Sequence, residues 1–466
     1  MPNNSAFVFT AQQGHKFLLS TSTARERIAK LRRLRSTIES YEQRLYEALR
    51  KDLRKNEFEA AVSEVIFIYG EINHAIRHLT GWMKPRRAGK AITNIFAKNR
   101  IYYQPKGVCL IISPWNYPFQ LLMSPLVSAI AAGNCVILKP SELSPATSTV
   151  MASLIEDCFD QEEVCCFEGG AEVASELLQL PFDHIFFTGS TAIGKIVMEA
   201  AAKSLASVTL ELGGKSPVVI HTSANLKKTA EKIAWGKLIN AGQTCIAPDY
   251  VLIPEHLMEI FAGHYISAAE ALFCSGSATP DLDVYAKIIN ERHFKRLCEL
   301  ITDATAKGAE LVYGGLAQAE TLTISPAILL NPPLDSALMQ EEIFGPLLPV
   351  VPYKNLTEAV ALINAKSKPL ALYIFSKDAA VTKQIIRDTS SGGICVNDVL
   401  VHISNPKLPF GGVGTSGMGS CHGHYGFKAF SHERSVVFQS GPNLTRLIYP
   451  PYHTKQWVLK LLKKLF

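Results

Sequence analysis

Val108-Cys109-Leu110-Ile111-Ile112-Ser113-Pro114-Trp115-Asn116 joins a strand-length apolar run to a turn that carries an aromatic ring and an amide. Similar apolar runs follow at residues 135–139, 164–169 and 184–188, and stretches with helical spacing separate them. This alternation predicts an α/β fold with a parallel, doubly wound sheet, which binds ligands at the carboxyl ends of its strands. The polar motifs of this region lie at those ends, so a site is expected there.

A second α/β unit is predicted after this sheet. Its strand and helix patterns lie at residues 209–212, 218–221, 226–238, 285–307, 356–366 and 382–388. Before the sheet, residues 22–54 and 57–82 have apolar side chains at three- and four-residue spacing, which predicts helices. Because 466 residues are too many for one ordinary core, two or three domains are expected.

Composition excludes several other classes of protein. Hydrophobic residues make up 47% and charged residues 19% of the chain, as in a globular protein. The ten cysteines form no CxxC pair and no zinc-site spacing, so we expect reduced thiols in a cytoplasmic protein and no metal site. Residues 1–20 lack the features of a signal peptide, and no apolar run reaches the ~18 residues of a membrane span. The net charge of +6 is modest, and basic clusters are not interleaved with aromatic residues, so nucleic-acid binding is not predicted.

Two strand ends carry polar side chains suited to a ligand. Asn116, held between prolines and aromatic residues, can donate to a developing oxyanion, although a turn residue is an equal alternative on this evidence. Lys139 and Glu142 stand three residues apart after the next strand and suit the two hydroxyls of a nucleotide ribose. A carboxylate there would repel a 2′-phosphate, which favours NAD over NADP.

The stretch Phe187-Thr188-Gly189-Ser190-Thr191-Ala192-Ile193-Gly194-Lys195 has the pattern of a strand, a tight turn and a helix start. Free amides and the helix dipole favour a pyrophosphate there, so Gly189, Ser190 and Gly194 are candidate cofactor residues. The glycine spacing is neither the usual dinucleotide fingerprint nor a complete P-loop.

A carboxylate and a thiol follow 34 residues apart. Glu211 ends a strand pattern before Gly213-Gly214, and Cys245 follows Asn240-Ala241-Gly242-Gln243-Thr244. A cysteine that holds an acyl group, with a glutamate that removes a proton from water, can form and hydrolyse a thioester. On this stretch alone, a small buried hydrophobe is the favoured interpretation of the cysteine.

Together with Glu341-Glu342-Ile343-Phe344-Gly345-Pro346, Asn397 and the glycine-rich residues 409–419, these motifs resemble the NAD(P)-dependent aldehyde dehydrogenases. The resemblance extends from the helices before Trp82 to about Gln439, with the motifs in the family's order. It is greatest to the class 3 and fatty aldehyde dehydrogenases, through Phe410 to Gly419, Phe430-Ser431-His432 and Tyr449-Pro450-Pro451.

The resemblance implies specific roles. Cys245 would attack the aldehyde, Asn116 and the backbone N–H of Cys245 would hold the oxyanion, and Glu211 would activate the hydrolytic water. Lys139 and Glu142 would bind the adenosine ribose, with Gly189, Ser190 and Gly194 at the pyrophosphate. Glu342, Phe344 and Trp115 would lie at the nicotinamide end. The expected cofactor is NAD, and the resemblance to class 3 enzymes implies that NADP can also serve.

The same resemblance implies the organisation of the chain. Residues 1–209 would form a Rossmann-type NAD(P)-binding domain with a small β oligomerisation arm at about 84–105. Residues 210–426 would form the catalytic domain, residues 427–440 a second oligomerisation segment, and residues 441–466 a tail. A homodimer is expected, and Cys395 and Cys421 are assigned to packing because they match no catalytic motif.

The tail has a basic amphipathic pattern. Trp457, Val458, Leu461, Leu462 and Leu465 share one helical face, with Lys460, Lys463 and Lys464 largely opposite. Such a helix can lie on an anionic membrane, and the alternative is that it packs on its own domain or on a partner subunit. Peripheral membrane attachment, helped by Arg86, Arg87 and Lys90, would favour long apolar aldehydes, either fatty or isoprenoid and apocarotenoid.

Two other functions remain open at the level of sequence. A CoA-acylating relative would pass the acyl group to a thiol, and Glu211 argues against this alternative. A binding or structural protein would keep the fold and the cofactor site without turnover, and the combination of Cys245, Glu211 and Asn116 argues against that.

Overall fold

A computed structural model of the chain describes residues 5–91, 94–274, 278–439, 441–442 and 444–465. Its helices are α1 (Ser5–Ser20), α2 (Ala24–Leu53), α3 (Glu57–Ala60), α4 (Ile66–Trp82), α5 (Pro118–Ala132), α6 (Pro145–Cys158), α7 (Ala171–Leu177), α8 (Thr191–Ser204), α9 (Leu226–Leu238), α10 (Met258–Phe273), α11 (Glu291–Ala306), α12 (Ala337–Gln340), α13 (Leu356–Asn364), α14 (Ala379–Asp388), α15 (Gly423–Ala429) and α16 (Gln456–Leu465). Its strands are β1 (Arg86–Arg87), β2 (Ala97–Pro105), β3 (Val108–Ile112), β4 (Cys135–Lys139), β5 (Val164–Cys166), β6 (His184–Thr188), β7 (Ser207–Glu211), β8 (Pro217–Ile220), β9 (Tyr250–Pro254), β10 (Glu310–Tyr313), β11 (Ala317–Gln318), β12 (Thr323–Ile324), β13 (Ala327–Leu330), β14 (Leu347–Tyr353), β15 (Ala371–Phe375), β16 (Gly393–Val396), β17 (Gly417–Met418) and β18 (Ser431–Gln439).

The first sheet has six strands in the order β17, β7, β6, β3, β4, β5. All neighbours are parallel except β17, which pairs antiparallel with β7. The chain runs from β3 through β4 to β5 and then returns to β6 on the other side of β3, so the strand order reverses between β3 and β6. A doubly wound sheet binds its ligand at the carboxyl ends beside such a reversal. The predicted doubly wound sheet is confirmed.

The second sheet has seven strands in the order β10, β13, β14, β9, β8, β15, β16. Its neighbours are parallel except for β10, which pairs antiparallel with β13. Residues of β8, β9 and β15 are buried throughout, as expected for a parallel sheet covered on both faces. The predicted second α/β unit is present from β8 onward. Its first predicted strand, at residues 209–212, is wrong, because β7 pairs with β6 in the first sheet, and the domain boundary expected after residue 209 lies within that strand.

A third sheet has three strands in the order β1, β2, β18. β18 pairs antiparallel with β2 over nine residues, from Ser431 opposite Pro105 to Gln439 opposite Ala97. The arm predicted at residues 84–105 and the segment predicted at 427–440 thus meet in one sheet. Most of β18 is exposed, including Val437 and Phe438.

Helices before the first sheet lie on both of its faces: α1 packs with Val108 of β3, whereas α2 and α4 share the core that contains Cys109, the next residue of that strand. Residues predicted as helical at 22–54 form the single helix α2, which begins with a capping box between Thr23 and Glu26 and ends at Arg54 in the left-handed region. Between α3 and α4 the chain forms a π-helical turn, Ala61–Val65. Such turns widen a helix and are common at functional sites.

One predicted helix is shorter than its pattern. Residues 285–307 were expected to be helical, but α11 begins only at Glu291 because Asn290 caps it, accepting from the backbone N–H of His293 at 3.0 Å. The buried segment before the cap is irregular and bonds to the loop of Cys245: the amide of Ile289 donates to Gln243 Oε1 at 3.0 Å.

The tail helix α16 has both exposed and buried apolar residues. Val458 is 4% exposed and Leu462 is half-buried, whereas Trp457, Leu459 and Leu461 are exposed. Phe466 and the side chain of Leu465 lie outside the described residues. Among the helices that the structure describes, none is long and apolar enough to cross a membrane.

Candidate active site

The three predicted catalytic residues come from different elements that meet between the two large sheets. Asn116 follows β3, Glu211 ends β7, and Cys245 lies between α9 and β9. Cys245 and Glu211 line both of two adjoining chambers, and Asn116 lines one of them. The structure therefore brings together residues that are up to 129 positions apart.

The loop that carries Cys245 has an unusual backbone. Asn240, Ala241 and Gly242 have φ values of 52°, 50° and 76°, three left-handed residues in succession. A side chain at Gly242 would come within 2.3 Å of the carbonyl oxygen of Gly345, so glycine is required on two counts. Two non-glycine residues in this region store strain that the surroundings must hold, and such strain is concentrated at functional sites.

The Asn116 side chain is anchored to the same loop. Its Nδ2 donates to the carbonyl oxygen of Gln243 at 3.0 Å, while its buried Oδ1 has no hydrogen-bond partner among the residues that the structure describes. A carboxamide nitrogen has two hydrogens, so one fixes the side chain and the second is available to an oxyanion. The backbone carbonyl of Asn116 accepts from Asn240 Nδ2 at 2.8 Å, which links the amide to the strained turn.

Glu211 is a buried acid. Its side chain is 4% exposed, and within the described part of the chain neither oxygen has a hydrogen-bond partner of normal geometry. Burial raises the pKa of the Glu211 carboxyl well above its usual range, and the thiol of Cys421, which faces it, offsets only part of this effect. A carboxyl with a raised pKa is suited to proton transfer near neutral pH.

The thiol of Cys245 is held in its neutral form. Burial first, then the charges of Glu342 and Glu211, raise the pKa of the Cys245 thiol to about 12. The backbone amides of Cys245 and Ile246 act in the opposite direction. The thiol is therefore un-ionised in the protein alone. Cys245 can become a thiolate only when the charge around it changes.

The strand-end chamber, of about 240 Å³, contains most of the predicted cofactor residues. Its wall includes Trp115, Asn116, Gly189, Ser190, Glu211, Cys245, Glu342 and Phe344. The ring of Trp115 meets that of Phe344 edge to face, with centroids 5.4 Å apart. These two rings form an aromatic wall beside the thiol.

The turn after β6 offers an anion cradle. Ser190 caps α8, a 14-residue helix, and its hydroxyl accepts from the amide of Ile193 at 3.4 Å. A side chain on Gly189 would meet the ring of Phe187 at 2.5 Å, and one on Gly194 would meet Leu212 at 2.8 Å. The two glycines are thus required by packing inside the protein. The start of α8, where Gly189 and Ser190 line the chamber, fits the pyrophosphate of a dinucleotide, whereas Gly194 lies outside the wall of the chamber.

Lys139 and Glu142 lie outside the wall of this chamber, at the end of β4. Lys139 Nζ donates to Glu142 Oε2 at 2.9 Å, and Glu142 is about half exposed. Partial burial acts to raise the pKa of the Glu142 carboxyl, but the hydrogen bond from Lys139 acts in the opposite direction. The net result is a pKa below the usual range. Glu142 is therefore ionised near neutral pH.

The segment of Glu342 and Phe344 is held by three charged residues. Arg296 donates to the carbonyls of Glu342 at 3.3 Å and Ile343 at 2.5 Å. Lys215, paired with Asp249, donates to the carbonyl of Glu341 at 2.7 Å, and Asp249 accepts from the amide of Ile343 at 2.9 Å. This support keeps Phe344 in the left-handed region, at φ 49°.

On the other side of Cys245 lies an apolar chamber of about 250 Å³. Its apolar wall includes Phe67, Leu121, Trp235, Ile239, Leu400 and Phe410. Val62 and Ser63 of the π-helical turn also line it, and Trp235 is 40% exposed there. A chamber of this composition accepts an apolar group more readily than a polar one.

Several residues of the site were not found by sequence reasoning. Cys421 was assigned to packing, yet it lines the apolar chamber and faces Glu211. His422 lines the same chamber, with its Nδ1 3.1 Å from Ser124 Oγ. His293 and Arg296 line the strand-end chamber. Each is a single residue without a motif, so only the fold identifies them.

Comparisons with known proteins agree with this geometry. The sequence profile described as "Aldehyde dehydrogenase family" matches residues 5–436. The 4,4'-diaponeurosporen-aldehyde dehydrogenase of Staphylococcus aureus is 43% identical, over 91% of this chain and 92% of that protein. Aldehyde dehydrogenase family 3 member A2 of Mus musculus is 45% identical, over 92% of this chain and 87% of that protein.

A solved structure of Staphylococcus aureus AldH, described as its substrate-bound state, superimposes with a TM-score of 0.94 at 41% identity. The match covers 99% of each chain. The resemblance predicted from the motifs is thereby confirmed, together with the aldehyde dehydrogenase fold. This chain belongs to the aldehyde dehydrogenase family and is an NAD(P)-dependent oxidoreductase that acts on aldehydes.

Proposed function

We propose that the chain oxidises long apolar aldehydes to carboxylic acids, with Cys245 as nucleophile, Asn116 as oxyanion donor and Glu211 as general base. The observation that carries this proposal is the position of Cys245 and Glu211, which line both the apolar chamber and the strand-end chamber. A substrate carbonyl entering from one chamber would meet the thiol at the mouth of the other.

In the first step the Cys245 thiol loses its proton to solvent and its sulfur adds to the carbonyl carbon. A C–S bond forms, the π electrons move to oxygen, and the oxyanion accepts from the free N–H of Asn116 and from the backbone amide of Cys245. When bound, the cofactor supplies the hydride acceptor and a positively charged ring. Loss of hydride from the tetrahedral carbon leaves a thioester on Cys245.

In the second step water hydrolyses the thioester. Glu211 removes a proton as the water oxygen attacks the acyl carbon, the C–S bond breaks, and the thiolate and the carboxylic acid are released. Because burial raises the pKa of Glu211, its ionised form is scarce at low pH. We expect hydrolysis of the thioester to accelerate as pH rises.

NAD is the preferred cofactor in this proposal, and NADP a secondary one. Lys139 and Glu142 would bind the adenosine ribose, Gly189, Ser190 and the start of α8 the pyrophosphate, and Glu342, Phe344 and Trp115 the nicotinamide end. The ionised Glu142 would repel a 2′-phosphate. Replacing it in Glu142→Gln should raise kcat/KM with NADP relative to NAD, and an unchanged ratio would refute this source of preference.

The substrate class is proposed from the wall of the apolar chamber. One similar protein is named for a diaponeurosporen aldehyde, a long apolar molecule. We expect kcat/KM to be higher for decanal and for a polyene aldehyde than for acetaldehyde, since each methylene buried contributes about 0.8 kcal/mol. A preference for acetaldehyde would contradict the assignment.

The activity itself is tested by NADH absorbance with decanal. Wild type should reduce NAD without CoA, whereas Cys245→Ser should lose the activity. Turnover that depends on added CoA would favour an acyl-CoA product instead. If no aldehyde gives NADH, a binding or structural role is favoured.

The assembly is also proposed. Residues 1–209 and 210–426 are taken as cofactor and catalytic domains, with the sheet of β1, β2 and β18 as the surface of a homodimer. β18 is the outer strand of that sheet, and its exposed Val437 and Phe438 suit burial against a second copy. The exposed Trp457 and Leu461 beside the tail lysines suit peripheral attachment to an anionic membrane.

A further inference from the structure

A fully buried ammonium group lies behind the oxyanion donor. Lys55, between α2 and α3, is 0% exposed. Its Nζ donates to the backbone carbonyl of Asn116 at 2.9 Å and lies 3.9 Å from the ring centroid of Tyr117. The cation thus contacts the backbone carbonyl of Asn116 and the side chain of the next residue.

Glu64 completes this contact from the π-helical turn. Its Oε1 lies 2.6 Å from Lys55 Nζ, and both side chains are wholly buried. Its Oε2 accepts from the amides of Phe119 and Gln120, each at 3.0 Å, at the start of α5. A carboxylate at a helix start is stabilised by the free amides and the helix dipole. Glu64 therefore fixes the helix that begins two residues after Asn116.

Glu59 holds the other side of the site. Its Oε1 accepts from the amide of Asn240 at 3.0 Å, at the first residue of the left-handed turn before Cys245. Asn240 Nδ2 in turn donates to the carbonyl of Asn116, the same oxygen that accepts from Lys55. One carbonyl oxygen therefore joins the two halves of the contact.

These three residues come from one short segment, which also lines the apolar chamber through Val62 and Ser63. Burying a lysine and a glutamate seldom adds net stability, because desolvation offsets the attraction between them. Stability therefore does not explain why these charged side chains are buried, and a role in function does. Their hydrogen bonds converge on Asn116 and on the turn before Cys245.

We propose that Lys55, Glu59 and Glu64 are positioning residues that hold the Asn116 amide and the Cys245 loop in register for catalysis. The proposal rests on the roles given to Asn116 and Cys245 in the proposed function. The three residues touch neither substrate nor cofactor in this account and act through the groups that they hold.

The first experiment is a mutant cycle measured with decanal and NAD. Lys55→Met combined with Glu64→Gln removes the ion pair without leaving one buried charge alone. We expect kcat/KM to fall about 100-fold through kcat, as for a small displacement of a reacting group. Asn116→Ala should cost about 100- to 1000-fold. Adding the Lys55 and Glu64 changes to Asn116→Ala should cost little more, because residues that act as one unit are not additive.

Arg27, at the carboxyl end of α5, provides a matched control. Arg27, 4% exposed, donates to the carbonyls of Ala131 at 3.1 Å and Ala132 at 2.6 Å, where α5 ends. Arg27→Met removes a buried cation that holds α5 but touches neither Asn116 nor the Cys245 loop. We expect kcat per folded molecule to stay close to that of wild type.

Glu59 supplies a second measurement because it is only partly buried and its variants should fold. Glu59→Ala removes the acceptor for Asn240 and should lower kcat with little change in KM for NAD. Glu59→Gln keeps an oxygen acceptor at the same place and should recover most of the lost kcat. Equal activity of the two variants would contradict the positioning role of Glu59.

The outcomes separate this proposal from the one on which it rests. If the Lys55 and Glu64 changes multiply fully with Asn116→Ala, or if Arg27→Met loses as much kcat, the positioning role is wrong. If Asn116→Ala keeps wild-type activity, the oxyanion role fails and the part of the proposal that depends on it fails with it.

Discussion

The charges around Cys245 determine when the thiol can react. After burial, Glu342 and Glu211 are the groups that raise its pKa, and burial also raises the pKa of Glu342 to about 7. Both carboxyls therefore gain negative charge as pH rises, which opposes ionisation of the thiol between them. A bound cation beside Glu342 would act in the opposite direction, and this couples the nucleophile to the cofactor chamber.

At this scale we expect Glu342→Gln to lower the pKa of the Cys245 thiol. Removing a negative charge favours the thiolate, so the rate of labelling by iodoacetamide should rise at a lower pH than in wild type. Peptide mapping would restrict the measurement to Cys245. The control is Glu341→Gln, which changes the adjacent, exposed carboxylate. A labelling profile unchanged by Glu342→Gln would contradict the electrostatic account.

At the scale of elements, the turn after β7 sets the position of Glu342. A side chain added at Gly213 would lie 2.3 Å from Glu342 Oε2, so the carboxylate must move. The segment of Glu342 is otherwise fixed through its backbone by Arg296, Lys215 and Asp249. The side chain can therefore be displaced while the loop remains.

We expect Gly213→Ala to raise KM for NAD about tenfold, comparable to losing one hydrogen bond to a charged group. The fold should be retained, because the displaced group is the end of a flexible side chain. Gly263→Ala is the control: Gly263 lies in α10 with no atom within 4 Å of an added methyl group. Equal KM values for both variants would refute the role of Gly213.

The strands that carry the motifs can be predicted from the sequence because each is a continuous apolar run. The buried runs of β3, β4 and β6 are continuous in sequence. The residues after β3 and β6 line the strand-end chamber, whereas Lys139 and Glu142 at the end of β4 lie outside it. The contact of Lys55 with Asn116 joins residues 61 positions apart and has no local pattern. Cys421 lies near Glu211 because β17 pairs with β7. The strand β17 has only two residues, too few to give a strand pattern in the sequence.

In the whole molecule, the tail helix α16 has one residue that packs on the protein and others that are free to contact a membrane. Val458 packs inward, while Trp457 and Leu461 remain exposed beside lysines. A helix anchored by one residue and exposed along the rest can contact a lipid surface without leaving the protein. The apolar chamber would then be supplied with aldehydes that partition into the membrane.

We expect the full-length chain to co-sediment with anionic vesicles and a variant ending at Tyr452 to do so much less. The binding should weaken with salt, because screening reduces the attraction between lysines and anionic lipid. Trp457→Ser with Leu461→Ser is the finer variant, since it keeps the charge of the tail. Equal sedimentation of all three proteins would contradict membrane attachment.

In the proposed reaction Cys245 carries the acyl group and Glu211 releases it. The most direct measurement is peptide mass mapping of Glu211→Gln after it is mixed with decanal and NAD. We predict a decanoyl thioester on Cys245, formed with one NADH per site and absent from Cys245→Ser. NADH formation without an adduct on Cys245, or with the acyl group on Cys421, would contradict the account.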